Sequence, residues 1–267
     1  VYGIYIHEGG KAAITGNVSI LAKQGGDGFA DGIKLYNGGS ALTINGNLAM
    51  KGTGGGNDAY GVSAAQKGGY GSTKTYQATG INIYDKDGAA FTLNGNLDMK
   101  VKGVGVDMRG SEKNAVTIAG GTIFTPDDGE EASYKAVAAT SGTFAMGMND
   151  AKTGSNGKDV VVQGTISLGK KGTVDLGLGS SKSRWTGIAD NKDGHPMNLY
   201  LSDGGMWENR RTSKDQYGLF AGSRVTKVAG GTAPAKAGVI VQKDSNPITI
   251  DHYSGHTILV YDHEASS

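Results

Sequence analysis

The stretches ALTINGNLAMK (41–51) and AFTLNGNLDMK (90–100) are nearly identical copies of one short sequence motif, which we call a phrase. On both sides of a central Asn-Gly-Asn, apolar and polar residues alternate, which is typical of a strand with one buried face. In the first copy the predicted core residues are Leu42, Ile44, Leu48 and Met50. Each phrase therefore predicts two short strands joined by a bend.

The central Asn-Gly-Asn is interpreted as that bend. Gly46 and Gly95 are expected to take positive φ there, since glycine adopts such angles at little cost. The amides of Asn17, Asn47 and Asn96 are expected to bond to their own and neighbouring backbone. The phrase is thus predicted to be a structural corner, and function is sought elsewhere.

A companion phrase also recurs, and its copies begin 25 to 48 residues apart. It is found in GIYIH, GIKLY, GINIY and GVDMR, which start at Gly3, Gly32, Gly80 and Gly105. Recurrence of similar strands at this distance is typical of a solenoid. We therefore predict an all-β fold, a right-handed parallel β-helix with loop insertions, on the order of ten coils of about 20 to 25 residues each. An extra coil or a loop is expected over 52–78, and the best helical candidate is the short stretch 130–139.

Stacking of the copies predicts columns of side chains along the helix axis. Ile4, Ile33, Ile81 and Val106 are expected to form one inner column. Beside it are expected Ile6, Leu35, Ile83 and Met108, while Leu42, Phe91 and Val116, and then Ile44, Leu93 and Ile118, form two more. Two outward columns are expected, one of Tyr5, Lys34, Asn82 and Asp107, the other of His7, Tyr36, Tyr84 and Arg109.

The composition excludes several classes of protein. The 267 residues include 47 Gly without a Gly-X-Y period, so the chain is not a collagen. It has no Cys, which removes disulfides, thiolate metal sites and a Cys nucleophile. A formal net charge of +1 gives no electrostatic argument for nucleic acid or an anionic membrane. No apolar run approaches the ~18 residues of a membrane span.

The last third carries different phrases: Trp185-Thr-Gly187, Leu199-Tyr-Leu201-Ser-Asp-Gly204-Gly-Met-Trp207, and a stretch ending in His252-Tyr-Ser-Gly255. Their order resembles the C-terminal part of autotransporter passenger domains, most strongly over 160–262. The Asn-Gly-Asn coils resemble the β-helical stem of the same family. We divide the chain accordingly into stem coils at 1–185 and a passenger-like C-terminal part of the same β-helix at 186–267.

The resemblance implies type V secretion and display on a bacterial surface, commonly as an adhesin or aggregation factor. We interpret the chain as a piece of a longer protein, with its membrane anchor, a barrel, beyond Ser267. The expected partners are a glycan or protein of the host or of neighbouring bacteria, with self-association as a further use. The chain lacks the appended protease-like domain of the family's enzymatic members.

The rival interpretation is a carbohydrate-active enzyme, a polysaccharide lyase or hydrolase on the same fold, which would need clustered carboxylates. Acidic clusters occur at 85–87, 127–131 and 190–193, but each sits in a glycine-containing turn, where Asp makes local hydrogen bonds. His252 and His256 are four apart in a strand region, so they would not share a helical face, and no zinc site is expected. We expect no catalytic residue, metal or cofactor.

Two groups of residues are the candidates for binding. The first is the outward set Tyr5, His7, Lys34, Tyr36, Tyr84 and Arg109, whose aromatic and polar groups suit sugar rings or a protein partner. The alternative is that these rings only stack on one another between neighbouring strands. The second group, in the glycine-rich insert, is Tyr60, Tyr70 and Tyr76.

Overall fold

The computed structural model describes residues 1–25, 28–52, 60–64, 67–68, 74–75, 78–127, 134–212, 222–243 and 247–262, with backbone alone at 67–68 and 74–75. The strands within these residues are β1 (Tyr2–His7), β2 (Lys11–Ile14), β3 (Val18–Ser19), β4 (Ala22–Gln24), β5 (Ala30–Tyr36), β6 (Ala41–Ile44), β7 (Leu48–Met50), β8 (Val62–Ala64), β9 (Lys67–Gly68), β10 (Lys74–Thr75), β11 (Ala78–Tyr84), β12 (Ala90–Lys100), β13 (Val104–Arg109), β14 (Ala115–Phe124), β15 (Lys135–Met146), β16 (Val160–Gln163), β17 (Thr165–Leu178), β18 (Arg184–Thr186), β19 (Ala189–Asp190), β20 (Met197–Leu201), β21 (Met206–Asn209), β22 (Ser223–Ala229), β23 (Gly238–Gln242), β24 (Ile248–Ser254) and β25 (Thr257–Tyr261). A single 3-10 turn, η1, spans Pro234–Lys236.

These strands form a parallel β-helix, as the sequence predicts. Three parallel ladders run along its axis. Sheet 1 stacks β1, β5, β11 and β13 on the first parts of β15 and β17, and it continues through β19 to the first parts of β22 and β24. Sheet 2 stacks β2, β6 and the first parts of β12 and β14 on the second parts of β15 and β17, and it continues through β20 to the second parts of β22 and β24. Sheet 3 runs from β3 and β7 through the second parts of β12 and β14 to β16, β18, β21, β23 and β25.

One turn of the helix passes once through each sheet, and within the described residues there are nine such coils. Their sheet 1 segments begin at Tyr2, Ala30, Ala78, Val104, Lys135, Thr165, Ala189, Ser223 and Ile248. Successive coils lie roughly 4.8 Å apart along the axis, the distance between paired strands.

The predicted inner columns are confirmed. Ile33 pairs with Ile81, which pairs with Val106, and all three side chains are buried. The same holds for Leu42, Phe91 and Val116 in sheet 2. The inward residues are partly exposed in the first and the ninth coil, at Ile4 and Ile6 and at Ile248 and Ile250, because each of these coils has a described neighbouring coil on one side only.

The described part of the insert over 52–78 contains a strand of the solenoid and a separate strand pair. Its segment β8 pairs in parallel with β4, and Val62 also forms a parallel bridge to Val101. One short strand of the insert therefore belongs to the solenoid. Beyond it, β9 and β10 pair antiparallel, as the two arms of an excursion from the coil.

The prediction of a helix over 130–139 is wrong in the described part of that stretch, because strand β15 begins there at Lys135. Val137 and Ala139 pair with Val106 and Met108, so packing against the preceding coil overrides a weak helical preference. In the described part of the chain, no helix has the length and apolar character needed to cross a membrane.

The Asn-Gly-Asn corners differ from prediction in one respect. The amide oxygens of Asn17 and Asn47 accept hydrogen bonds from the backbone N–H of Asn47 and Asn96, at 2.9 and 2.8 Å, as the sequence predicts. However, Gly46 and Gly95 do not have positive φ. Glycine is needed because a Cβ at Gly46 would lie 2.0 Å from the Gly16 carbonyl oxygen of the coil before it. Close stacking of coils, and not the backbone angle, selects glycine there.

The tryptophan phrases of the last third also form part of the core. Trp185 and Trp207 stack in sheet 3 with centroids 4.9 Å and planes 5° apart, and neither is exposed. Their indole N–H groups donate to the carbonyls of Gly164 and Gly187, both at 3.0 Å. The glycine of the Trp-Thr-Gly phrase thus accepts a hydrogen bond from the tryptophan of the next coil, and this phrase has an architectural role.

Candidate binding surface

The outer face of sheet 1 in the first four coils brings together both outward columns that the sequence predicts. Tyr5, Lys34, Asn82 and Asp107 are successive partners across the ladder. His7, Tyr36, Tyr84 and Arg109 form the second row of partners in the same strands. We call this face the sheet 1 surface. Its side chains are Tyr2, Tyr5, His7, Phe29, Asp31, Lys34, Tyr36, Asn82, Tyr84, Asp107 and Arg109.

The aromatic rings of this surface contact one another. In the first coil Tyr5 stacks on Tyr2 at 4.9 Å between centroids and on His7 at 5.0 Å. Between coils Tyr36 and Tyr84 lie 5.7 Å apart with a 44° tilt. Cross-strand and in-strand stacking thus accounts for much of the clustering, as one of the two interpretations of the sequence expected. The outer edges stay accessible, with Tyr5 42% and Tyr84 37% exposed.

Two cations lie against the rings. The Lys34 ammonium is 5.3 Å from the ring centroid of Tyr2 and 5.7 Å from those of Phe29 and Tyr36. The Arg109 guanidinium lies 5.1 Å from the Tyr84 centroid. Such cation–π contacts fix long side chains that would otherwise be mobile. The sheet 1 surface is therefore preorganised rather than a set of independent side chains.

Each cation also has a carboxylate partner. Lys34 Nζ lies 3.9 Å from Asp31, and Arg109 Nε lies 3.4 Å from Asp107. Asp31 further accepts a 3.2 Å hydrogen bond from the Asn82 amide. Desolvation raises the pKa of both carboxyls despite the opposing charges, Lys34 on Asp31 and Arg109 with Lys135 on Asp107. Desolvation, with a smaller effect of Tyr2, also raises the pKa of Tyr5.

Three members of this surface were missed in the sequence: Tyr2, Phe29 and Asp31. Tyr2 and Asp31 are ladder partners that directly precede the Gly-Ile phrase, so extending that phrase one residue upstream would have found them. Phe29 precedes its strand and has no periodic signal at all. Its place beside Tyr2, at 6.2 Å between centroids, depends on how the chain enters the second coil.

The tyrosines of the insert do not join the sheet 1 surface where they are described. Tyr60 forms an antiparallel bridge to Lys51, directly after the sheet 3 strand of its coil. Tyr70 and Tyr76 lie outside the described residues. The second group of candidate binding residues therefore stays a prediction.

The acidic turns have structural partners. Both carboxylate oxygens of Asp85 accept backbone N–H groups, those of Gly39, Ser40, Asp87 and Gly88, at 2.8 to 3.3 Å. This fully buried carboxylate joins the turns of two successive coils. Asn114, which sequence reasoning missed, makes the equivalent contact one coil later from the other end of the turn, where its Oδ1 accepts the Ala89 N–H at 2.8 Å.

Residues of the other polar clusters also have partners, one distant in the chain and one local. The Asp127 carboxylate lies 2.5 Å from the Arg210 guanidinium. The rest of that cluster, 128–131, lies outside the described residues. In the cluster over 190–193, Asn191 bonds the backbone of His195 through both ends of its amide. Among the residues with described positions, no group of three His, Cys, Asp or Glu could hold a metal ion.

Comparison of this chain with protein-family models, with curated proteins and with solved structures finds no match in any of the three.

Proposed function

We propose that this chain is the stem of a bacterial cell-surface adhesin of the autotransporter passenger type, which binds its partner through the sheet 1 surface. The observation that carries the proposal is the preorganised array of aromatic rings and cations on one outer face of a rigid solenoid. The proposed mechanism is presentation and multivalent contact without turnover, in which weak contacts on many parallel copies add up.

The proposed partner is a glycan or protein of a host or neighbouring bacterium, or a second copy of the chain. Tyrosine edges and hydroxyls beside fixed cations suit both sugar hydroxyls and protein surfaces. Secretion across the outer membrane and surface location are proposed from the tryptophan and glycine phrases of the last third and from the absence of cysteine. Antibody labelling of intact source cells tests the location.

The binding test uses the double variant Tyr36→Ala with Tyr84→Ala. The chain is offered to glycan arrays, immobilised matrix proteins and intact bacteria, and its self-association is followed by light scattering. We expect a binding signal for the wild type and its loss in the variant. The variant lacks the Tyr36–Tyr84 ring pair and the ring against which the Arg109 guanidinium lies.

The matched control is Tyr253→Ala with Tyr261→Ala, which removes two exposed tyrosines from the ninth coil at the other end of the solenoid. This control should retain binding. Equal binding of every partner by wild type and the Tyr36/Tyr84 variant would show that the sheet 1 surface is not a binding site.

A second candidate, a carbohydrate-active enzyme, is favoured by one observation. Asp31 and Asp107 are carboxyls of raised pKa on the face where rings and cations cluster, and a raised pKa suits a general acid. Release of reducing ends or unsaturated products from acidic polysaccharides, abolished in an Asp31→Asn and Asp107→Asn variant, would favour the enzyme over the adhesin.

A further inference from the structure

A groove of about 730 Å³ lies on another side of the solenoid, away from the sheet 1 surface. Its floor is the outer face of sheet 2 in coils three to five, and its wall is the loop 147–158, which connects sheet 2 to sheet 3 in the fifth coil. The volume is within the range of sites that bind small molecules. Neither the repeat nor the acidic clusters of the sequence point to it.

The wall of the groove is held in place by hydrogen bonds. Across the loop, the Asn149 N–H donates to the Gly154 carbonyl at 2.9 Å and the Asn156 N–H to the Gly147 carbonyl at 2.8 Å. The Asn156 amide also donates to the Ala119 carbonyl of the preceding coil at 2.8 Å. A long loop closed this tightly is a preformed wall rather than an excursion from the coil.

A further bond ties the loop to the coils beyond it. The hydroxyl of Tyr200, itself only 7% exposed, donates to the Lys152 carbonyl at 3.1 Å. The loop is thus fastened to the solenoid on both sides, at the fourth coil through Ala119 and at the seventh through Tyr200. Little ordering entropy would be lost there when a ligand binds.

The floor of the groove combines small apolar and hydroxyl groups. Thr117 is exposed, Ala145 lies beside it in the ladder, and Met148 is half-buried at the start of the loop. Asn94, from the third coil, lines the far side with its exposed amide. Methyl and thioether surfaces accept the C–H face of a sugar ring, while hydroxyl and amide groups bond its hydroxyls.

The charge of the groove is positive. Lys152 and Lys158 line it, against a single carboxylate, that of Asp150. Within the described residues neither lysine has a carboxylate within 4.0 Å, whereas the cations of the sheet 1 surface have one each. Two such ammonium groups favour an anion, and a carboxylate bound by them forms charge-assisted hydrogen bonds.

We propose that this groove is a second binding site, for an oligosaccharide that carries a carboxylate, such as a segment with uronic or sialic acid residues. Lys152 and Lys158 take the carboxylate, and Thr117, Asn94 and the Met148 surface take the sugar rings. The site is independent of the sheet 1 surface and of its partner.

The test is direct binding of the 267-residue chain to a panel of carboxylated oligosaccharides, each beside its own methyl ester. The ester keeps every hydroxyl and removes only the negative charge. At least one free acid should bind more tightly than its ester, and the variant Lys152→Glu with Lys158→Glu should weaken that binding by roughly tenfold or more, because charge-assisted bonds become repulsions.

The matched control, Lys170→Glu with Lys171→Glu, makes the same charge change at exposed residues of β17 between sheets 1 and 2 and should bind like the wild type. A second variant, Thr117→Trp, fills the groove without a charge change and should also block binding. If every acid binds no better than its ester, or if both lysine pairs weaken binding equally, the groove is not this site. The Tyr36/Tyr84 variant should keep this binding, so failure of one site is distinguishable from failure of the other.

Discussion

The first two coils and the sixth and seventh coils place aromatic residues on opposite faces of the solenoid, outside in the former and inside in the latter. In the first two coils Tyr2, Tyr5 and Tyr36 lie outside sheet 1, where Tyr2 stacks on Tyr5 and the Lys34 ammonium lies near the rings of both Tyr2 and Tyr36. In the sixth and seventh coils Trp185 and Trp207 lie inside sheet 3, stacked and without exposure. Whether an aromatic side chain lies outside or inside the solenoid depends on its position along the strand, since successive side chains point to opposite faces.

The difference also concerns polar groups. The buried indole N–H groups need acceptors and find them in the carbonyls of Gly164 and Gly187. The outer rings have no such need, and cations take the space beside them. Inner rings should therefore determine the stability of the solenoid, and outer rings its binding.

The largest expected effect is that of Trp207→Ala. This change empties a fully buried site and leaves the Gly187 carbonyl without its donor, so we expect a loss of about 3–5 kcal/mol in the free energy of unfolding. Urea unfolding measures the loss. Trp207→Phe keeps one aromatic ring but removes the N–H and part of the buried indole volume, and it should cost distinctly less. Equal losses in the two variants would show that packing of the remaining ring contributes little.

Next in size is the corner variant Asn47→Ala. It removes the acceptor of the exposed Asn96 backbone N–H, with an expected loss of about 0.5–1.5 kcal/mol, the net contribution of one hydrogen bond. The control is Asn94→Ala, whose amide bonds only the exposed side chain of Asn45. The free energies of unfolding of Asn47→Ala and Asn94→Ala, measured in urea, should differ clearly. A similar small loss in both would mean that the asparagine ladder does not hold the coils together.

A smaller effect on stability is expected for Tyr84→Ala. The ring is 37% exposed and contacts Tyr36 and Arg109, so the loss should be about 0.5–1 kcal/mol. Urea unfolding of Tyr84→Ala and of Trp207→Ala under the same conditions compares the two losses. A loss as large as that of the tryptophan variant would remove the distinction between inner and outer rings.

The smallest expected effect is a pH dependence at the sheet 1 surface. Burial raises the folded pKa of Asp107 above its unfolded value, so the native state holds a proton more tightly. Stability from this group is then greatest below the unfolded pKa and is lost as the pH rises through the folded pKa. The free energy of unfolding of Asp107→Asn, relative to that of wild type, should therefore increase as the pH rises from acidic to neutral. A difference that does not vary with pH would contradict desolvation as the cause.

Much of the candidate surface could be predicted because it follows from the alternation. Tyr36 and Tyr84 are ladder partners since both occupy the same position of a repeated phrase. Phe29 could not be found in this way, because it lies before the phrase begins. The groove beside Thr117 could not be found either, since its wall is a loop outside the repeat.

The sequence by itself determined the coil. Alternation of apolar and polar residues set which side chains face inward, and recurrence of the phrases set which strands are neighbours, because both are local in origin. Only the tertiary structure decided that Lys34 lies among three rings, that glycine in the Asn-Gly-Asn corner serves close stacking, and that the loop 147–158 folds back over sheet 2. These features depend on distances between residues far apart in the chain, which no periodic pattern encodes.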